Sequence, residues 1–379
     1  MILMAIDHVR VYAGVPAGGP GPGVFFTRWI THFCAPAFIF LAGTSAFLYR
    51  RSHGAVSRFL LIRGLWLVLL ELTVLRVAWT FNVDYAHYLL AGVIWVIGWC
   101  MVALALLARL PVAVVAAIGV AIIAGHNLLD PGVQAFMTGS AQAPAHPLWK
   151  LLYLGFYDGP VRLWGEADLM VLYSFVPWVG VMATGYAFGA VLAQEPARRD
   201  RLCLAIGLGA TALFLVLRGF NLYGDPRPWS PPGPPSPEGP PPMPALLAFL
   251  NTTKYPASLQ FLLMTLGPTI ALMPALERAR GVPARIIAVF GRVPFFFYVL
   301  HIPLIHALAL GVSRIRLGEV SHWLFSNFPM GNPPPPDGYA WSLPLLYMVW
   351  AVAIALLYPA CRWFAGLKAR RHDPWLSYV

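Results

Sequence analysis

Residues 24–48 read VFFTRWITHFCAPAFIFLAGTSAFL. The stretch is long and apolar enough to cross a bilayer, for which about 20 apolar residues suffice. It nevertheless carries Arg28 and His32 in its first two turns. A charge well inside a spanning helix costs at least ~2.5 kcal/mol on insertion scales. Polar groups brought to the same depth by other segments would offset that cost.

The rest of the chain has the same character. Of 379 residues, 59% are hydrophobic and only 11% charged, with mean hydropathy +0.68. Soluble domains are nearer one quarter charged. The expected fold is therefore all-α, a polytopic transmembrane bundle of about ten helices. Cys34, Cys100, Cys203 and Cys361 are scattered through apolar segments without CxxC spacing. They read as small buried hydrophobes rather than disulfides or ligands.

The expected spans follow from the apolar runs. MILMAI, followed by Asp7 and His8, is too short for a signal-peptide core and lacks a basic flank. It reads as the outer end of a first helix that looks truncated, as a misassigned start codon would leave it. Gly and Pro fill residues 14–23. Further helices are expected at about 24–48, 57–79, 85–108, 111–129, 169–193, 202–220, 255–276, 284–311 and 342–365. A loop of roughly forty residues before 169 contains an amphipathic patch, LWKLLYLGFYDGPVRLWGEAD. Residues 221–254 form a Pro-rich outer loop within a single membrane domain, 1–379, and residues 225–244 are too rich in Pro to fold alone. There is no convincing internal repeat.

Charge sets the orientation. Loops after the second, fourth, sixth, eighth and tenth helices, with the adjoining helix ends, hold 16 Arg and Lys against four acids, a net +12. The other side holds ten basic and ten acidic residues, and Glu71 lies inside a helix. By the positive-inside rule the C-terminus is cytoplasmic, in a bacterial inner membrane if the Ala/Gly/Pro/Arg-rich composition reflects the source. The net charge of +11 is then topological, which removes nucleic acid as a partner.

With this topology, ionisable residues gather in the outer half: Asp7 and His8 on the first helix, Arg28 and His32 on the second, Glu71 and Arg76 on the third, and His301 and His306 on the ninth. Arg28 and His32 are four apart and share a face. Intramembrane ionisable groups mark functional sites by default. The plainer readings are structural ion pairs, such as Arg28 with Asp7, and interfacial anchoring for Arg76, Asp84, His87, Arg162, Lys254 and His306. His32 and His301 are deeper and titrate near neutrality. No HxxxH or CxxC spacing occurs, so no metal is expected. Asn251-Thr252-Thr253 is a formal glycosylation sequon, without meaning in a bacterial source.

Five stretches carry a resemblance: MAIDHVR, FFTRWITHFCAPAFIFLAGTSAFL, YSFVPWVGVMATGYAFG, FGRVPFFFYVLHIPLIH and LLYPACRWFAGLKARR. Together they resemble a bacterial membrane family related to the catalytic domain of heparan-alpha-glucosaminide N-acetyltransferase. The resemblance covers almost the whole chain. It implies a multi-helix fold with a central site, where acetyl-CoA arriving from the cytoplasm acetylates a sugar amine on the far side with the help of a histidine. YVLH, ending at His301, is similar to a Tyr-Val-Gly-His stretch of the lysosomal enzyme. The histidine assigned as catalytic there lies in the loop between the first two helices. Residues 14–23 here are only Gly, Pro, Val and Ala, so His8 or His32 would take its place.

The function expected is acyl transfer from acyl-CoA to an amino sugar or other glycan. A His base would deprotonate the acceptor, Asp7 or Glu71 would orient an imidazole, and Arg28 would stabilise the oxyanion. The main rival is a proton-coupled transporter using the same groups. A polyprenyl-linked glycosyltransferase would need more acids in the first outer loop than Asp7, and a non-catalytic role leaves the costly polar groups unexplained. A homodimer is compatible with the sequence and not required by it.

Overall fold

The computed structural model describes residues 1–16, 21–231, 243–330, 333–371 and 373. The segment 232–242 of the expected Pro-rich loop lies outside the described residues, as does 17–20 of the first Gly/Pro loop. The described chain is an all-α bundle, and seven of its helices are long and apolar enough to cross a membrane.

Helix α1, Ile2–Tyr12, is followed by α2, Pro22–His53. Within α2 the turn Ile30–Phe33 is wound tighter than its flanks. Pro36 explains this, because it has no N–H for the carbonyl of His32 and so breaks the regular ladder there. Segment α3 runs over 57–80 as Ser57–Leu70, a wide π-turn Glu71–Leu75 and Arg76–Thr80. Then follow α4 (Val93–Leu107), α5 (Val112–Met137), α6 (Phe175–Leu192), α7 (Pro196–Gly219), α8 (Leu259–Glu277), α9 (Val282–Arg292), α10 (Pro294–Leu317) and α11 (Leu343–Arg370).

Small residues let these helices approach closely, as is common where lipid replaces water. A Cβ on Gly43 of α2 would lie 2.1 Å from the Met182 carbonyl of α6, and one on Gly185 would lie 2.1 Å from the Phe40 carbonyl. Thr44 Oγ1 donates to the Gly185 carbonyl across this seam at 2.8 Å. Helix α1 packs against α10 and α11. It is held there by Trp350 Nε1 donating to the Ile2 carbonyl (3.0 Å) and Tyr339 Oη donating to the Tyr12 carbonyl (2.9 Å).

Two expected helices are shorter than the apolar runs implied. Residues 88–91, placed in a helix from 85, form strand β1 (Tyr88–Ala91), and 168–171 form strand β3 (Asp168–Val171) rather than the start of α6. With β2 (Val161–Arg162) they make a three-stranded sheet in the order β1-β3-β2. Leu89 pairs with Leu169 in the parallel β1–β3 ladder, and Val161 pairs with Leu169 across the antiparallel β2–β3 ladder. A buried run such as YLLA has no alternation, so periodicity cannot separate strand from helix. The two parallel strands feed α4 and α6 side by side.

The expected helix 284–311 is two helices. Val293 takes an extended-side conformation (φ −133°, ψ 53°) before Pro294. Proline lacks the N–H the helix needs and excludes helical geometry from the residue before it. Helix α9 is largely exposed and carries Arg285 and Arg292, as a helix lying along a membrane face does.

The candidate active site

His301 lies seven residues, about 10 Å, into α10, which is about 36 Å long. His32 lies about 15 Å from the first residue of α2, and Glu71 about 14 Å from the last residue of α3.

His301 is fully buried and pairs with His8, Nε2 to Nδ1, at 2.6 Å. The protons in this pair follow from its partners. His301 Nδ1 faces the carbonyls of Tyr298 (2.7 Å) and Phe297 (3.1 Å), which can only accept. Nδ1 therefore donates, and Nε2 carries the lone pair. His8 Nδ1 must then donate to it, leaving His8 Nε2 as the basic nitrogen. Among the described residues that nitrogen has no partner. The His8 ring is held edge-on to Trp79, centroids 4.8 Å apart, and stacks on His301 at the same separation.

Asp7 does not orient His8. Its Oδ1 accepts from Arg10 Nε at 2.7 Å, and Arg10 also donates to the Val15 carbonyl at 2.6 Å. Nor does it pair with Arg28, which makes no ion pair among the described residues, although the charges of Arg10, Arg28 and Lys254 all act on the Asp7 carboxylate. Arg10 was not foreseen, although its place three residues after Asp7 was a visible signal.

His32 is 5% exposed, and neither ring nitrogen has a hydrogen-bond partner. It meets Phe261 of α8 edge-on at 5.4 Å and feels the charges of Lys254, Arg28 and Asp7. A buried imidazole with both nitrogens idle is costly, so this side chain is available to a ligand.

Glu71 is not an orienter of His32. It is buried in the π-turn of α3, and its carboxylate accepts from the backbone amides of Ile94, Gly92 and Trp95, where α4 begins. A carboxylate suits the positive end of a helix dipole. Gly92 is required there, since a Cβ would sit 2.2 Å from Glu71 Oε1. Oε2 has no partner.

Three residues expected as interfacial anchors are buried. Arg76 donates to the carbonyls of Tyr88 (3.1 Å), Asn82 and Asp84 (2.6 Å) and to the side chains of Thr80 and Asn82, clamping the 81–88 loop. His306 reaches the carbonyls of Leu324 (2.8 Å) and Ala78 (3.3 Å). Both are structural. Lys254 is different: it is 7% exposed, has neither a hydrogen bond nor an ion pair among the described residues, and lies over the rings of Tyr255 (5.1 Å) and Tyr173 (5.8 Å). Asp84 and His87 lie in the 81–88 loop, and Arg162 is an exposed residue of β2. Asp84 and His87 bond one another at 2.6 Å, and Arg162 pairs with Asp168 at 3.0 Å.

Among the described residues no three His, Cys, Asp or Glu side chains come together as metal ligands. The four cysteines are free. At the opposite end of the bundle, Arg50 donates to the Ala108 carbonyl (2.6 Å) and Tyr186 Oη (2.7 Å) beside a cavity of about 300 Å³ lined also by Arg51, Phe47 and Leu110.

Comparison with curated proteins returns no match, and comparison with solved structures returns none. Residues 1–222 match the family described as heparan-alpha-glucosaminide N-acetyltransferase, catalytic. That span contains α1 to α7 and, with them, Asp7, His8, Arg28, His32 and Glu71. It covers more than half of the chain, which therefore belongs to the heparan-alpha-glucosaminide N-acetyltransferase catalytic family.

Proposed function

We propose that the protein is a membrane-embedded acetyltransferase. It moves an acetyl group from cytosolic acetyl-CoA to the amine of an amino sugar or glycan at the non-cytoplasmic side of a bacterial inner membrane, with the C-terminus cytoplasmic. Family membership supports the reaction class. The observation that carries the reading is the His8–His301 pair, with the unpartnered Nε2 of His8.

In this reading the acceptor amine attacks the thioester carbonyl. His8 Nε2 takes the amine proton, the C–S bond breaks, and the thiolate receives that proton as free CoA leaves. A base placed in this way contributes typically 10²–10⁴-fold. His301 touches no reacting atom and is a positioning residue: it fixes the tautomer of His8, as a carboxylate does in hydrolase triads. The idle N–H of His32 is the available donor for the tetrahedral oxyanion. Asp7 holds Arg10, and Glu71 fixes α4, so both support the site from behind. In this reading a pantetheine arm reaches His8 from the inner face, where Arg50 and Arg51 line the cavity that would admit CoA. A monomer is sufficient for this geometry.

Purified protein in nanodiscs with labelled acetyl-CoA and glucosamine tests the reading. The expected result is labelled N-acetylglucosamine and stoichiometric free CoA, lost on His8→Ala. Proton-coupled flux of an amino sugar in proteoliposomes without acetyl-CoA, and no acetyl transfer, would favour the transporter instead.

A further inference from the structure

The acceptor side of the proposed site holds more positive charge than its own carboxylate balances. Among the described residues Asp7 is the carboxylate there, and three cations act on it: Arg10, Arg28 and Lys254. Arg10 is its bonded partner, at 2.7 Å. Arg28 and Lys254 form neither an ion pair nor a side-chain hydrogen bond among the described residues. Asp225, which anchors the loop before Lys254, is fully engaged: it accepts from Thr253 N (2.8 Å), Thr253 Oγ1 (2.7 Å) and Ser258 Oγ (3.0 Å).

Lys254 is placed by its neighbours. Asp225 holds Thr253, and Arg218 pins the 248–251 backbone through the carbonyls of Ala248 and Asn251 (3.3 and 3.1 Å). The residue between these anchors and α8 therefore has little freedom. Its ammonium meets the faces of Tyr255 and Tyr173, an attraction that replaces only part of the lost hydration. Lys is almost never buried without a partner. The same cation acts on His8 and on His32, whose two ring nitrogens are also without partners. Lys254, Arg28 and the idle imidazole of His32 thus share one neighbourhood beside Asp7.

We infer that Lys254 and Arg28 form a phosphate subsite, and that the acceptor is an amino sugar bearing a phosphate group. A phosphate carries about −1.5 to −2 at neutral pH and offers several strong acceptor oxygens, which matches an excess of two positive charges and the free donors of Lys254 and Arg28. A carboxylate would leave one cation unbalanced. The phosphates of CoA are the other source of this chemistry; in the proposed reading they would enter at the cavity lined by Arg50 and Arg51 at the opposite end of the bundle. The subsite rests on the acetyltransferase reading for its acceptor, but its binding does not depend on turnover.

The test is equilibrium binding to the full-length protein in neutral-lipid nanodiscs, by calorimetry, with three probes: glucosamine, glucosamine 6-phosphate and acetyl-CoA. Wild-type protein is expected to bind glucosamine 6-phosphate roughly 10- to 100-fold more tightly than glucosamine, the range of one charge-assisted contact, with inorganic phosphate competing. Lys254→Gln is expected to erase that difference and leave acetyl-CoA affinity in place, while Lys254→Arg keeps it. Equal wild-type affinity for the two sugars overturns the inference, whatever the variants do. So does a Lys254→Gln loss confined to acetyl-CoA. Tight phosphate-dependent binding without any acetyl transfer would retain the subsite and remove the acetyltransferase reading, so the two failures are distinguishable.

Discussion

His8 Nδ1 and His301 Nε2 lie 2.6 Å apart, and the two carbonyls behind His301 allow only one direction for the shared proton. The pair joins α1 to α10, which are separated by nearly the whole sequence, and leaves a lone pair on His8 Nε2. If His301 acts by holding that tautomer, His301→Ala should lower kcat about 10²-fold or more while KM for the acceptor moves little. His301→Asn, whose amide can still accept from His8, should recover part of the loss. The pH–rate profile should also change shape, which a merely packed histidine would not cause.

The α2–α6 seam is a second quantitative target. A Cβ on Gly185 would lie 2.1 Å from a backbone carbonyl, which has no flexible end to move. Overpacking of this kind typically costs about 1–3 kcal/mol. Gly185→Ala should therefore lower the thermal midpoint in detergent. Gly209→Ala has open space around its position and should not.

Arg76 presents a larger loss. Its guanidinium donates to three carbonyls and to three side chains, those of Thr80, Asn82 and Asn327, while fully buried. Removal strands several acceptors, each costing about 1–3 kcal/mol when left unpaired. Arg76→Met should yield little folded protein by size-exclusion chromatography. Arg76→Lys, with three donors in place of five, should be intermediate.

Much of this architecture was legible in the sequence because apolar length and loop charge are strong signals. The region 24–48, with its Arg28 and His32, does cross the bundle where other ionisable groups gather. What was hidden depends on contacts that one chain pattern does not encode. The YLLA run gave no period to distinguish strand from helix. Pro294 was visible, but whether it would kink or divide an apolar run depends on what packs around it. Glu71 was assigned to His32 by depth alone, and α4 starting at Val93 placed amides beside it instead. Lys254 resembled a surface anchor because it precedes a helix. Its burial follows from the Asp225 and Arg218 networks, whose partners lie up to 42 residues apart.

The surface around the 81–88 loop should respond to pH through His87. Its ring bridges Asp84 Oδ1 (2.6 Å) and Glu166 Oε2 (3.1 Å), joining the 81–88 loop to the β2–β3 hairpin. The hydrogen bond to Asp84, then that carboxylate's charge and then Glu166, raise the His87 pKa above its ordinary value. Asp84 moves the other way: desolvation pushes its pKa up, but the hydrogen bonds from His87 and Asn327 outweigh it and hold the carboxyl below its ordinary range. A raised histidine contributes stability that is complete below its unfolded value of about 6.5 and is lost as pH rises through the folded value. A depressed carboxyl contributes above its unfolded value of about 3.9 and loses that contribution as pH falls through the folded one. The bridge should therefore be strongest between roughly pH 4 and 6.5. Thermal midpoints of wild type and His87→Gln across pH 5–9 should differ at the acid end and converge at the alkaline end. Because the ring is exposed, raising the salt concentration should shrink the acid-side difference. A gap that stays constant with pH would mean that His87 acts through packing alone.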